Sequence, residues 1–142
     1  MKIRVLLVDD EEEFVETLAQ RLEVRDLDVA TALSGAEALE QLEGREIDVV
    51  VLDLQMPGVD GIQVLRTIKE RKPLIEVIML TGHATVETAI EGMKLGAFDF
   101  LIKPTETEEL LEKIGRAFGR KSEQDQRIRE AEIDQIVKRR GW

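Results

Sequence analysis

Cysteine is absent from this chain. That excludes disulfides as a source of stability and fits a reducing compartment. Long apolar runs are absent as well. None approaches the ~20 residues needed to cross a bilayer. Met1 to Arg4 lead straight into a strand rather than into a charged segment and an apolar leader, so a cytoplasmic protein without a membrane anchor is expected. A basic surplus is missing too: 20 Lys and Arg stand against 30 Asp and Glu, a net charge of −10. Phosphate backbones attract basic surfaces, so direct DNA binding is not expected. No Gly-rich ATP-binding loop, internal repeat or low-complexity block appears. What remains is 142 residues, the size of one domain that can bury a real core.

Five apolar runs alternate with five amphipathic stretches. Ile3 to Val8 is apolar apart from Arg4, short enough for a strand buried on both faces. Phe14, Leu18 and Leu22 then recur at helical spacing, marking a buried stripe. Val29 to Ala32 is a short strand, and Ser34 with Glu37 forms a capping box that opens a helix with Ala38, Leu39 and Leu42 inward. Asp48 to Leu52 is the most β-like run, ended by Asp53, and Met56-Pro57-Gly58 marks a turn. Ile62, Leu65 and Ile68 follow at helical spacing. Beyond Pro73 come a strand over Ile75 to Leu80 and a helix over Thr85 to Leu95. Val86, Ala89, Ile90 and Met93 lie on one face of that helix, and Gly96 closes it. Phe98 to Ile102 is the fifth strand, and Thr105 to Phe118 the fifth helix, with Leu110, Leu111, Ile114 and Phe118 inward. Five βα units predict a doubly wound α/β domain with a parallel sheet covered on both faces. Gly119 is expected to end this unit, giving a domain over 1–118 and a charged helical extension over 119–142. The body carries 13 Lys and Arg against 25 Asp and Glu, and the extension seven against five.

The carboxyl ends of parallel strands lie along one edge, where α/β folds bind ligands. Asp9-Asp10, Asp53, Thr81 and Lys103-Pro104 all fall there, on strands one, three, four and five. Each has an ordinary explanation. Asp9 and Asp10, before Glu11 to Glu13, suit a helix N-terminus, although two adjacent acids before three more exceed that need and repel one another. Asp53 and Lys103 suit a structural ion pair, Thr81 a strand end, and Thr105 before Glu108 a second capping box. Taken together, three carboxylates, a hydroxyl and an ammonium on one edge suit a divalent cation and a phosphoryl group.

With this spacing the residues resemble the receiver domain of two-component response regulators, over residues ~3–118. The resemblance rests on Asp9-Asp10, the run Asp53-Leu54-Gln55-Met56-Pro57-Gly58-Val59-Asp60-Gly61, the Thr81-Gly82 step, and Lys103-Pro104. Leu80 to Pro104 is most similar to receivers of sigma-54-activator-type regulators. The resemblance implies a bacterial protein with a flavodoxin-like (βα)5 fold. It also implies Asp53 as phosphoacceptor from a sensor histidine kinase, with Lys103 and Thr81 assisting. Mg²⁺ or Mn²⁺ would sit on Asp9, Asp10, Asp53 and the Gln55 backbone carbonyl. Thr81 and Phe100 would form the switch, and Lys103–Pro104 a cis peptide. Phe100 stands where the family often has Tyr. Gln55 and His83 occupy positions that tune dephosphorylation, and His83, the only histidine, is read as a rim residue.

Three functions are open on this reading. The first is a stand-alone receiver that catalyses only its own phosphorylation and slow dephosphorylation. It would control an output protein or pass phosphate to a histidine phosphotransfer protein. The second is the receiver of a longer transcription regulator, with residues 120–142 beginning a linker helix, although the extension itself is too short and too polar for a helix-turn-helix unit. The third is a phosphatase with Asp53 as nucleophile, disfavoured because haloacid-dehalogenase-type enzymes carry a second Asp two residues on, where Gln55 stands. The family implies a homodimer through the fourth helix, fifth strand and fifth helix. The extension, with Ile128, Ile133, Ile136 and Trp142, is open to four readings: docking on the body, a second dimer surface, a partner contact, or a frayed polar helix.

Overall fold

The computed structural model describes residues 2–56, 59–82 and 86–141, with backbone alone at Val59, Asp60, Thr81 and Val86. Pro57 and Gly58 of the expected turn, His83, the helix start at Thr85, the side chains of Thr81 and Val86, and Trp142 lie outside them.

The strands are β1 (Arg4–Val8), β2 (Asp28–Ala32), β3 (Val49–Leu52), β4 (Gln55–Met56), β5 (Val59–Asp60), β6 (Glu76–Thr81) and β7 (Asp99–Ile102), all but β4 and β5 formed by the five apolar runs. The intervening helices are α1 (Glu12–Val24), α2 (Gly35–Gly44), α3 (Gly61–Arg71), α4 (Val86–Lys94) and α5 (Thr107–Arg139). The main sheet has the order β2-β1-β3-β6-β7, every neighbour parallel. β4 and β5 form a separate two-residue antiparallel ribbon after β3, which nothing in the sequence pattern announced. The fold is the expected flavodoxin-like doubly wound sheet, and its order reverses between β1 and β3, where such folds open a crevice.

β1 and β3 are buried on both faces, so their side chains feed two cores in alternation. Leu6, Val8, Val50 and Leu52 face α2 and α3, while Val5, Leu7, Val49 and Val51 face α1 and α5. On α1 the buried stripe is Val15, Leu18, Ala19 and Leu22, with Phe14 only partly buried at its edge. Ile90 and Met93 of α4 are 49% and 41% exposed. The reason is Gly92, where a Cβ would stand 2.1 Å from the Met79 sulfur. With Ala89 buried beside it, α4 lies close on β6 through its small residues, and the larger ones turn out.

Helix ends follow the chemistry in part. The Ser34 hydroxyl accepts the Glu37 N–H at 3.1 Å, and the Glu37 carboxylate accepts from Leu33, one residue before the usual position. Gly96 closes α4 with φ +103°. Thr105 caps nothing: α5 begins at Thr107 with Glu106 at its N-cap, without a side-chain cap. Gly61 at the start of α3 is required by packing, since a Cβ there would lie 2.4 Å from the Leu54 Cα and 2.7 Å from its carbonyl oxygen. That contact presses the loop following Asp53 onto α3.

Gly119 does not end the last helix. α5 runs unbroken for 33 residues. A mid-helix glycine costs ~1 kcal/mol relative to alanine, and the residues after it offset this. Arg120 is ion-paired with Glu76 and lies 4.6 Å from the Phe98 ring, and Lys121 reaches Asp48 at 3.2 Å. Both acids are buried at the amino edge of the sheet, 2% and 1% exposed. Glu76 also takes Lys69 at 3.2 Å. Arg4, the one charge in the first apolar run, forks onto Asp48 at 3.0 and 3.1 Å and adds its own N–H at 2.9 Å. Burial pushes the Asp48 carboxyl up, and the hydrogen bonds from Arg4 and Lys121 outweigh that, leaving it below the ordinary value. Further out, Asp125–Arg129 and Asp134–Lys138 pairs support the helix.

Two outcomes follow. A chain ending at Phe118 loses Arg120 and Lys121 from their carboxylates. It should melt lower than one ending at Gln126 by on the order of 2 kcal/mol, or roughly 6 °C by calorimetry. Gly61→Ala should cost ~1–3 kcal/mol because its clash is with backbone, and more than Gly92→Ala, where the flexible Met79 side chain can yield.

Candidate functional site

The ladder carries on one residue past β1 and β3. The Asp9 N–H donates to the Ala32 carbonyl at 3.1 Å, and the Asp53 N–H to the Val8 carbonyl at 2.9 Å. Asp9 and Asp53 are thus held beside each other at the carboxyl edge, 3% and 4% exposed, with Asp10 exposed next to them. Carboxylate oxygens of all three lie within 4.8 Å of one another. Neither Asp9 nor Asp10 caps α1, which starts at Glu12 behind Glu11 without a side-chain cap. The capping explanation of the acidic pair therefore fails, and the crowding needs another reason.

The two buried acids are held in the same way. One oxygen of each accepts a backbone N–H two residues on: Glu11 to Asp9 and Gln55 to Asp53, both at 3.0 Å. The other oxygen faces Lys103. Its ammonium is 2.5 Å from Asp9 Oδ2, 3.3 Å from Glu11 and 4.0 Å from Asp53 Oδ2. Lys103 therefore bonds Asp9 closely and pairs with Asp53 only at longer range. Among the described residues, Asp53 Oδ2 accepts no hydrogen bond. The Lys103–Pro104 peptide is cis, and the ammonium also sits 4.2 Å from the Phe14 ring. Sequence spacing assigned Phe14 wholly to the core. Its place one turn after Asp10 was the available sign that it could also floor this site.

Electrostatics follow the crowding. Burial pushes the Asp53 carboxyl above its ordinary value and the Asp9 and Asp10 charges add to this, partly offset by the Gln55 N–H and Lys103. Burial pulls Lys103 down, but the Asp9 hydrogen bond and the surrounding carboxylates outweigh it, and the ammonium is held charged. One cation among four acids leaves a negative excess. Three clustered carboxylates are hard oxygen donors that fit a divalent cation of the magnesium or manganese kind.

Gln55 sits in the β4–β5 ribbon opposite Asp60, its N–H on Asp53. Thr81 is the last residue of β6, on the same edge, paired in the ladder with Ile102. Phe100 on β7 is partly buried against the α2–α3 core and borders a cleft beside α4. His83 is outside the described residues. No helix among them is long and apolar enough to cross a membrane.

The family model of the response regulator receiver domain matches residues 5–115. The DNA-binding transcriptional regulator NtrC of Escherichia coli K12 is 37% identical over 122 residues, 86% of this chain and 26% of NtrC. The chain spans about a quarter of the length of the curated relatives it matches. Among solved structures, a response regulator receiver domain protein from Clostridium thermocellum is 38% identical with a TM-score of 0.80, covering 84% of this chain and 97% of that one. A CheY-like receiver domain protein from Methanospirillum hungatei has a TM-score of 0.83 at 27% identity, covering 87% and 99%. By family model and by overall structure, the chain belongs to the receiver domains of two-component response regulators, a family that partners with sensor histidine kinases.

Proposed function

We propose that Asp53 is the phosphoacceptor. The observation that carries this is its Oδ2, buried at the strand edge, accepting no hydrogen bond among the described residues and 4.0 Å from the Lys103 ammonium. That oxygen attacks phosphorus of the kinase's phosphohistidine, the P–N bond breaks, and the imidazole leaves with the electron pair. An acyl phosphate on Asp53 results. Asp9, Asp10, Asp53 and the Gln55 carbonyl would hold Mg²⁺ or Mn²⁺, which supplies charge neutralisation to the transferring group. Lys103 bonds Asp9 and stands 4.0 Å from Asp53 Oδ2, within reach of a phosphoryl oxygen carried there. Thr81 and Phe100 lie where a new phosphate at the edge would be felt, and they serve as the switch. The chemistry is confined to the chain's own phosphorylation and slow dephosphorylation. Residence in the cytoplasm accords with the family.

The output acts through a partner or onward to a histidine phosphotransfer protein. Exposed Ile90, Met93 and Ile102 support pairing of two copies through α4, β7 and α5. Asp99 and Lys113 on that face pair with each other at 2.6 Å. A second reading is favoured by the quarter-length match to NtrC: the chain is the receiver of a longer transcription regulator, acting through segments joined to α5.

Incubation with Mg²⁺ and a small-molecule phosphodonor should add a single phosphate by intact mass. Asp53→Ala should abolish the adduct, and an adduct persisting in that variant would falsify the assignment. Lys103→Ala should slow its formation at least tenfold.

The raised Asp53 carboxyl carries a pH signature. A carboxyl that binds its proton more tightly when folded gives a contribution to stability that is complete below its unfolded pKa and lost as pH rises from there through its folded pKa. In chelator at neutral pH, Asp53→Asn should therefore melt higher than wild type by on the order of 1 kcal/mol, about 4 °C. The difference should shrink as pH is lowered. Mg²⁺ at one hundred times its Kd should stabilise wild type by ~2.7 kcal/mol and Asp53→Asn by less.

A further inference from the structure

The amino edge of the sheet, opposite the acidic site, carries a cleft of about 590 Å³. One wall is the stretch of α5 from Lys121 to Arg129. The other walls are the loop between α2 and β3 and the loop between α3 and β6. The wall exists only because α5 runs through Gly119 and is fastened to the base by Arg120 and Lys121.

The floor is aliphatic. Leu42, Ile47 and Ile75 are buried beneath it, Leu74 is half-buried, and Ile128 of the helical wall stands 45% exposed over it. Among the described residues no aromatic ring lines the cleft, so they offer no stacking surface to a nucleobase. The rim is cationic. Arg45 and Lys72 are exposed, and among the described residues neither side chain has a carboxylate partner. Arg71 is only 3.7 Å from exposed Glu43, and Arg129 pairs within its own helix with Asp125. The deeper cations, Arg4 and Lys121, are taken by Asp48 and Glu46. Four cations thus ring an apolar floor on a protein of net charge −10.

From this we infer that the cleft docks an acidic, aliphatic helix of a partner protein. A groove walled by a helix and two loops suits a helix presenting aliphatic anchors at i, i+3, i+4 and i+7, and Glu or Asp beside those anchors would meet the rim. The acidic body favours a short segment over nucleic acid. Fields are screened within ~8 Å at physiological salt, so a short helix feels the rim, whereas a long polyanion would run onto the acidic surface beyond it. The same net charge opposes a second copy as occupant.

The test is fluorescence anisotropy on the full chain with a labelled 16-residue helical peptide. It carries Leu at i, i+3, i+4 and i+7 and Glu on its flanks, and a control peptide has the same residues shuffled to break the stripe. Saturable binding is expected for the striped peptide and at least tenfold weaker binding for the shuffled one. Arg45→Glu with Lys72→Glu, both at exposed positions, should weaken binding at least tenfold, as should Ile128→Asp. Circular dichroism should stay unchanged, and so should phosphorylation by a small phosphodonor. No saturable binding, equal affinity for the shuffled peptide, or insensitivity to the variants would each overturn the inference. Competitive displacement by inorganic pyrophosphate would overturn it in favour of a small polyanion site. Self-association abolished by the double variant would overturn it in favour of a second copy.

Discussion

Everything at the carboxyl edge depends on the register between β1 and β3. Val8 stands opposite Leu52, and the next backbone hydrogen bond joins the Asp53 N–H to the Val8 carbonyl. Parallel pairing fixes that neighbour relation for the whole strand. A slip by one residue would send alternate side chains to the wrong core and swing Asp53 away from Asp9. The hydrophobic cores on the two faces therefore hold the carboxylates together against their own repulsion. The fold supplies the force and the site absorbs it.

The two ends of the same sheet treat buried acid in opposite ways. At the amino edge, Asp48 and Glu76 share four cations: Arg4, Lys121, Lys69 and Arg120. That network is saturated, and breaking such a pair leaves an uncompensated buried charge. At the carboxyl edge, Asp9, Asp10 and Asp53 share one ammonium, which bonds Asp9 and leaves an oxygen of Asp53 without a donor among the described residues. One arrangement resists change and the other invites a cation and a phosphoryl group. Burial alone does not distinguish them; the balance of charge does.

How much of this was legible follows from the range of each interaction. The five strands and their order of appearance were readable because continuous apolar runs of that length have few other uses. The clustering of Asp9, Asp10, Asp53 and Lys103 was readable because parallel topology converts strand ends into neighbours. The partners within the cluster were not. That Lys103 bonds Asp9 rather than Asp53, and rests over Phe14, depends on side-chain placement across 89 or more residues of chain. Which side of α4 meets the sheet was not readable, because periodicity cannot tell which face of a short helix is small enough to approach a strand. Gly119 was misread for a related reason: local propensity says stop, while Glu76 and Asp48, far off in sequence, hold the next turn in place.

An unbroken helix fastened at the base of its domain is mechanically a lever. The roughly 20 residues beyond Gly119 reach ~30 Å, and the two ion-paired residues at its root act as the fulcrum. A tilt of about 10° there would carry the far end through roughly 5 Å, without any residue of the extension changing its own conformation. Small shifts in the packing of α5 on the sheet thus become displacements as large as a helical turn, delivered well away from the chemistry that causes them.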